Sequence, residues 1–274
     1  MSLSEATLQL HVVEWLIVAL LAPAFGSFAT VLDARVPEGR SIIKPRSACP
    51  NCGHQLTWHE NIPLLGFLLL RGRCAGCRSK ISPKYPLIEL TTAGLFLLAF
   101  VPGTDGGPAT GPANLAMAAM AIITVPLVLI DIRLHRLPNA LTYPTGLYLL
   151  LLMVANLFVG GTPSQSWNAL LQGLVPAALL LLLGLLSKGG MGLGDVKLAA
   201  LMGWAIGWIG TGATVTAFAM AFLMGGGYGV VVLATRRGNR KTAIPFGPFL
   251  LAGLWVSFLG GALLQASVAH LWGL

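Results

Sequence analysis

Eight apolar stretches punctuate the chain, at roughly 12–32, 86–101, 113–130, 141–159, 168–187, 196–209, 212–235 and 246–270. A helix needs about 20 apolar residues to cross the hydrocarbon of a bilayer. The pattern therefore predicts an all-α polytopic membrane protein with about eight transmembrane helices. The sixth stretch is short and rich in Gly and Trp, so residues 203–212 read either as a turn or as a break within one helix joining the sixth and seventh stretches. The Leu-rich run 178–186 has the composition of a lipid-facing span, and Gly103–Pro112 reads as a flexible connection. No internal repeat with a period of about 20–50 residues is apparent.

The polar segments add direction. All 17 Lys and Arg residues fall in four of them: nine in 34–85, two in 131–140, two in 188–197 and four in 236–241. The connections 102–112 and 160–167 carry none. By the positive-inside rule the four basic segments are cytoplasmic and both termini lie outside. The net charge of +8 is thus explained by topology and anionic lipid, and nucleic acid is not an expected partner. Composition agrees, with 55% hydrophobic and only 9% charged residues and a mean hydropathy of +0.79. The opening segment Met1–Glu14 holds no Lys or Arg, which argues against a cleaved secretory signal. The organisation expected is a first transmembrane helix over 1–33, a cytoplasmic loop domain over 34–85 and a transmembrane catalytic domain over 86–274.

All four cysteines lie in that first loop, as Cys49-Pro-Asn-Cys52 and Cys74-Ala-Gly-Cys77, with the segment 53–73 between the pairs. Two C-x2-C knuckles so spaced can bring four thiolates around one tetrahedral Zn²⁺, a small zinc-ribbon-like insert. Gly53 and Gly76 suit the tight turns of such knuckles. Disulfides are disfavoured in a reducing cytoplasm. His54 and His59 are the alternative ligands, more simply read as surface histidines. An insert this small has little core, so the metal would supply much of its folding energy. Trp58, Ile62, Leu64, Leu65, Phe67 and Leu68–Leu70 either pack on the ribbon or lie at the membrane surface.

Acidic residues are scarce, nine in the whole chain. After the cysteine loop only Glu89, Asp131 and Asp195 fall within or at the edges of spans, where an ionisable group is costly and points to function. Each aspartate has an ordinary reading: Asp131 as a helix-end carboxylate paired with Arg133 or Arg136, Asp195 as an N-cap paired with Lys197. Together they suggest more. Two carboxylates brought close share a proton, so that one can activate water while the other polarises a peptide carbonyl. Their positions in the chain do not establish proximity, although three intervening crossings can return one helix to the other.

With these features the chain resembles the type IV prepilin peptidases, of the kind that couples leader peptidase and N-methyltransferase activities. Gly26-Ser27-Phe28, Arg35-Val36-Pro37 and the cysteine loop are similar to the family's N-terminal block. Ser82-Pro83-Lys84-Tyr85-Pro86 and Glu89 match the segment entering the second span. Asp131 with Leu137-Pro138-Asn139 resembles the D-x6-P motif, and Gly192, Gly194, Asp195 and Lys197 match G-x-G-D-x-K. Pro245-Phe246-Gly247-Pro248 matches the segment before the final span. G-x-G-D alone also marks presenilin-type proteases. Thr30 stands where the family usually has Asn, and Asn139 where Asp is common.

The resemblance implies a GxGD intramembrane aspartic protease of the bacterial inner membrane, with Asp131 and Asp195 as catalytic pair. Its substrates would be prepilins of type IV pili and pseudopilins of type II secretion, cut on the cytoplasmic side after Gly and before a residue that is typically Phe. It also implies methylation of the new N-terminus from S-adenosylmethionine, with Glu89 a candidate for the substrate or methyl-donor site. Two other classes compete: a cation or proton transporter using the membrane carboxylates, and a membrane scaffold whose zinc loop docks a partner. Neither calls for both the cysteine loop and the paired aspartates.

Overall fold

The computed structural model describes residues 3–100, 111–186, 192–235 and 244–272. Most of the connection over 103–112, the start of the glycine motif at Gly190 and the basic segment 236–241 lie outside them. Among the described residues nine α-helices follow one another: α1 (Leu3–Arg35), α2 (Leu65–Leu69), α3 (Lys84–Leu98), α4 (Pro112–Leu134), α5 (Asn139–Phe158), α6 (Pro163–Leu186), α7 (Leu193–Ile206), α8 (Thr211–Ala234) and α9 (Gly247–Trp272). Each of the eight apolar stretches corresponds to one helix, and α2 is a short extra helix inside the cysteine loop. Among the described residues there is no strand, only two isolated bridges in that loop. The helices α1, α4, α5, α6 and α8 are long and apolar enough to cross a membrane, whereas α3 and α7 have only 15 and 14 residues.

The sixth and seventh stretches are separate helices. The helix α7 ends at Ile206, and Gly210 takes φ +132°, a conformation that glycine adopts without strain, before α8 begins. The break frees the two helices to pack differently, α7 against α6 and α8 against α9.

Small residues make these contacts close. A Cβ on Gly203 would run into the Gln172 carbonyl, and one on Gly207 would lie 2.9 Å from the Ala169 Cα. A Cβ on Gly253 would strike the Ala217 carbonyl. In lipid, where apolar faces gain little by meeting each other, such backbone approach is what holds helices together. Helix α4 is the hub, touching α1, α3, α5, α7 and α9. Its Met117, Met120, Leu127 and Ile130 are fully buried.

Candidate active site and metal centre

The D-x6-P segment is a helix stop followed by a helix start. His135 adopts the left-handed conformation and its N–H donates to the Asp131 carbonyl at 2.8 Å, ending α4 one turn past the aspartate. Pro138 then takes an extended ψ of 133° and opens α5. Between them Leu137 drops inward. A Cβ on Gly194 would lie 3.2 Å from the Leu137 Cβ, and one on Gly247 would lie 3.3 Å from Leu137 Cδ2. The two glycines thus make room for one leucine, and that wedge draws the ends of α4, α7 and α9 together.

Asp131 and Asp195 both lie at this junction, near enough for the charge of one to act on the other. Asp131 is 4% exposed, and its Oδ2 accepts the backbone N–H of Gly247 at 3.1 Å. The ordinary pairings expected for both aspartates are absent among the described residues. Arg133 turns to Asp33, and Lys197 donates to Asn139 Oδ1 at 2.5 Å while lying over the Tyr143 ring. Asp195 is not the N-cap of α7, a position held by Gly192, but sits in the first turn with its N–H donating to the Gly192 carbonyl at 3.0 Å. Gly192 has more room than Gly194, since an added Cβ would meet the Asp195 carboxylate only at 3.6 Å.

Asp33 escapes a reading of the sequence. Its side chain is 5% exposed at the end of α1, where it binds Lys84 of α3 at 2.5 Å and Arg133 of α4. A lone acid ending an apolar stretch gives no sign of this. The signal lies in two cations, far along the chain, that meet only in the fold. Glu89, one turn beyond Lys84 in α3, makes no ion pair among the described residues. It is half-buried, and its Oε2 accepts the Leu64 N–H at 2.8 Å. A Cβ on Gly26 would clash with the Glu89 backbone near 2.5 Å, which explains the glycine at the start of the G-S-F block.

In the loop, the second knuckle repeats the hydrogen bonds of the first. Cys49 and Cys74 donate N–H to the carbonyls of His54 and Ser79, and the N–H groups of Gly53 and Arg78 return to the carbonyls of Cys49 and Cys74. The geometry repeats although only the cysteines do so in sequence. Gly53 has φ +72° as the turn requires, but its counterpart in the second knuckle is Arg78, at φ +59°, and not Gly76. Gly76 is short of space instead: a Cβ there would sit 3.1 Å from the His54 Cβ, with Cys52 Sγ at 3.4 Å.

The four sulfurs lie within 4.8 Å of one another, Cys49–Cys77 and Cys52–Cys74 at 3.9 Å. A tetrahedral site with metal–sulfur bonds of about 2.3 Å has sulfur–sulfur edges of about 3.8 Å, so the cluster fits a metal ion. Amides of Asn51 and Cys52 facing Cys49 hold its thiol down to about 6, and the Ser79 hydroxyl and amide lower Cys77, which favours the thiolate at both. Cys52, despite the His54 amide, is pushed up to about 11 by the neighbouring sulfurs. The histidines stay out: His54 reaches Glu60 at 3.1 Å, and His59 approaches Thr57. Of the apolar residues between the knuckles, Ile62, Phe67 and Leu70 face a cavity under the loop, while Trp58, Leu65, Leu68 and Leu69 are exposed.

Comparison with known proteins agrees with this geometry. The profile described as Bacterial Peptidase A24 N-terminal domain matches residues 20–102, and that described as Type IV leader peptidase family matches residues 115–230. A prepilin leader peptidase/N-methyltransferase of Aeromonas salmonicida is 34% identical over 92% of this chain and 93% of its own length. Its counterpart in Bacillus subtilis is 35% identical over 86% and 90%, and that in Pseudomonas aeruginosa 34% identical over 81% and 73%. No solved structure matches. With identity sustained across nearly the whole length, this multi-pass membrane protein belongs to the type IV leader peptidase family.

Proposed function

We propose that the chain is an intramembrane aspartic endopeptidase that removes the short basic leader of type IV prepilins and pseudopilins after Gly, and methylates the exposed N-terminus. The observation that carries the peptidase half is the proximity of Asp131 and Asp195, each without a Lys or Arg partner among the described residues. One carboxylate, ionised, takes a proton from the attacking water while its protonated neighbour donates to the scissile carbonyl. The Gly247 amide orients Asp131, Leu137 and Pro138 fix the turn beside it, and Gly192, Gly194 and Lys197 support the Asp195 turn. Relatives named as N-methyltransferases support the second half. S-adenosylmethionine supplies the methyl group as a sulfonium when bound.

Zinc is the metal proposed for Cys49, Cys52, Cys74 and Cys77, on the strength of an all-sulfur set at tetrahedral spacing. The proposed organisation is eight crossings of a bacterial inner membrane, divided at 1–33, 34–85 and 86–274, with loop and aspartates at the cytoplasmic face. One-sided basic charge supports it.

The test is a co-expressed prepilin examined by mass spectrometry. Asp131→Asn and Asp195→Asn each lower leader removal by at least about a hundredfold, the lower end of what a positioned acid or base contributes, while the protein still inserts. Normal processing by either variant would end the dyad assignment.

A further inference from the structure

The short helix α2 is bounded by strained backbone at both ends. Leu64, just before it, takes φ +61° and ψ −47°, and the Leu65 N–H closes a three-residue turn onto the Pro63 carbonyl at 2.6 Å. Such a turn is strained for any residue with a side chain. Just after the helix, Arg71 lies in the left-handed region at φ +51°. Strain of this kind persists only where the surroundings enforce it. Here the Leu64 N–H is held by Glu89 of α3, and Gly66 is pressed against Glu60, where an added Cβ would run into the carbonyl.

The result is an apolar face turned outward. Gly66 is buried and the Phe67 ring lies beside Gly72, whereas Leu65, Leu68 and Leu69, on one side of the helix, are 54%, 66% and 72% exposed. The grip on Glu89 also sets the depth of this face. Glu89 lies five residues past Lys84, about 7–8 Å along α3. Leu87 and Leu90 on either side of it are exposed, as lipid-facing residues of a span are. At 15 residues α3 is only about 22 Å long, short of the roughly 30 Å of hydrocarbon in a bilayer. The leucines of α2 therefore continue the lipid-facing band of α3 at its loop end. Arg71 and Arg73 follow at once, exposed and without an ion pair among the described residues.

We propose that α2 is an interfacial anchor, with Leu65, Leu68 and Leu69 seated among the acyl chains at the bilayer surface and Arg71 and Arg73 on anionic phospholipid headgroups. The inference needs only the multi-pass membrane placement and stands apart from the peptidase reading. Seating the leucines in lipid removes their apolar area from water, which offsets the strain of the two flanking turns. It also ties the cysteine loop to the bilayer at a point separate from its two chain connections to α1 and α3.

The test uses the full-length, metal-loaded protein with a dansylalanine at Leu68, reconstituted in vesicles of phosphatidylcholine and phosphatidylglycerol in equal parts. Quenching by brominated acyl chains is expected to exceed quenching by aqueous iodide severalfold. Dominant iodide quenching would put α2 in water and overturn the proposal. Shielding from both quenchers would also overturn it, by showing that a second copy or another protein covers the helix. Metal content of each preparation shows whether the loop is intact, and a probe at Leu65 replaces one that disturbs it.

The arginines are read by lipid preference. Hydrogen exchange over 64–73 should be slower with phosphatidylglycerol present than in phosphatidylcholine alone, by about fivefold for each arginine at the surface. Arg71→Gln combined with Arg73→Gln removes that difference, while the probe at Leu68 stays within reach of the brominated chains. A preference that survives in the double variant, or is missing from the parent, would overturn the headgroup contacts.

Discussion

The cysteine loop and the helical body it rests on are built by opposite means. Between Ser41 and Pro83 only Gly66 and Cys74 are buried, and large apolar side chains such as Ile43, Trp58 and Leu69 point outward. Order there comes from hydrogen-bonded turns and four converging sulfurs. In the body, glycines let helix backbones touch, as Gly203 does against Gln172, and α4 is wrapped on several sides. One region is arranged around the proposed metal, the other around shape. Each should therefore fail alone when its own support is removed.

The largest effect expected is on the loop. Stripping the metal, or Cys49→Ser, removes a contribution of about 10–16 kcal/mol as measured for zinc-finger peptides. Hydrogen exchange over 47–82 should rise to unfolded rates while α4 and α7 stay protected. Loss of protection in α4 as well would show that the two regions are one cooperative unit. A smaller break belongs to the body. Gly194→Ala presses a methyl group on Leu137 and should slow leader removal about tenfold through misplacement of Asp195. Gly192→Ala, with ordinary contact distance available, should cost far less in the same cleavage assay. Equal losses would show that Leu137 is not the wedge.

The smallest effect returns to the loop and depends on pH. The Thr57 amide and hydroxyl, with His54, hold Glu60 down to about 2. A carboxylate lowered from an unfolded value of about 4.3 stabilises the fold fully at neutral pH and loses that contribution as pH falls from about 4 towards 2. Glu60→Gln should accordingly speed exchange of residues 54–60 at pH 7, and the gap from the parent should narrow on acidification. A gap unchanged at pH 3 would place the effect on packing instead of charge.

Much of this architecture was legible in the chain. Eight apolar stretches forecast eight helices, because length and composition are local properties. The cysteines were legible for the same reason, each pair lying within one turn. What escaped was the choice of inward face. These spans carry leucine and valine on lipid-facing sides as freely as inside, as Leu181, Leu183 and Val231 show, so period says little about what turns inward. Asp33 could not be matched to Lys84 and Arg133, nor Gly247 to Asp131, without the helix order in space. Even in the loop, residue type misled at Gly76, since the left-handed turn belongs to Arg78.

The Gly247 amide on Asp131 has a consequence for synthesis. The two residues are 116 positions apart. A ribosome adding about 5–20 residues per second reaches the glycine roughly 6–23 s after the aspartate. Throughout that interval Asp131 lacks the backbone donor that later orients it, while Asp195 emerges well before the helix that α9 will become. A nascent chain carrying both aspartates is therefore still an unfinished protease, and its assembly ends only when α9 docks against α4.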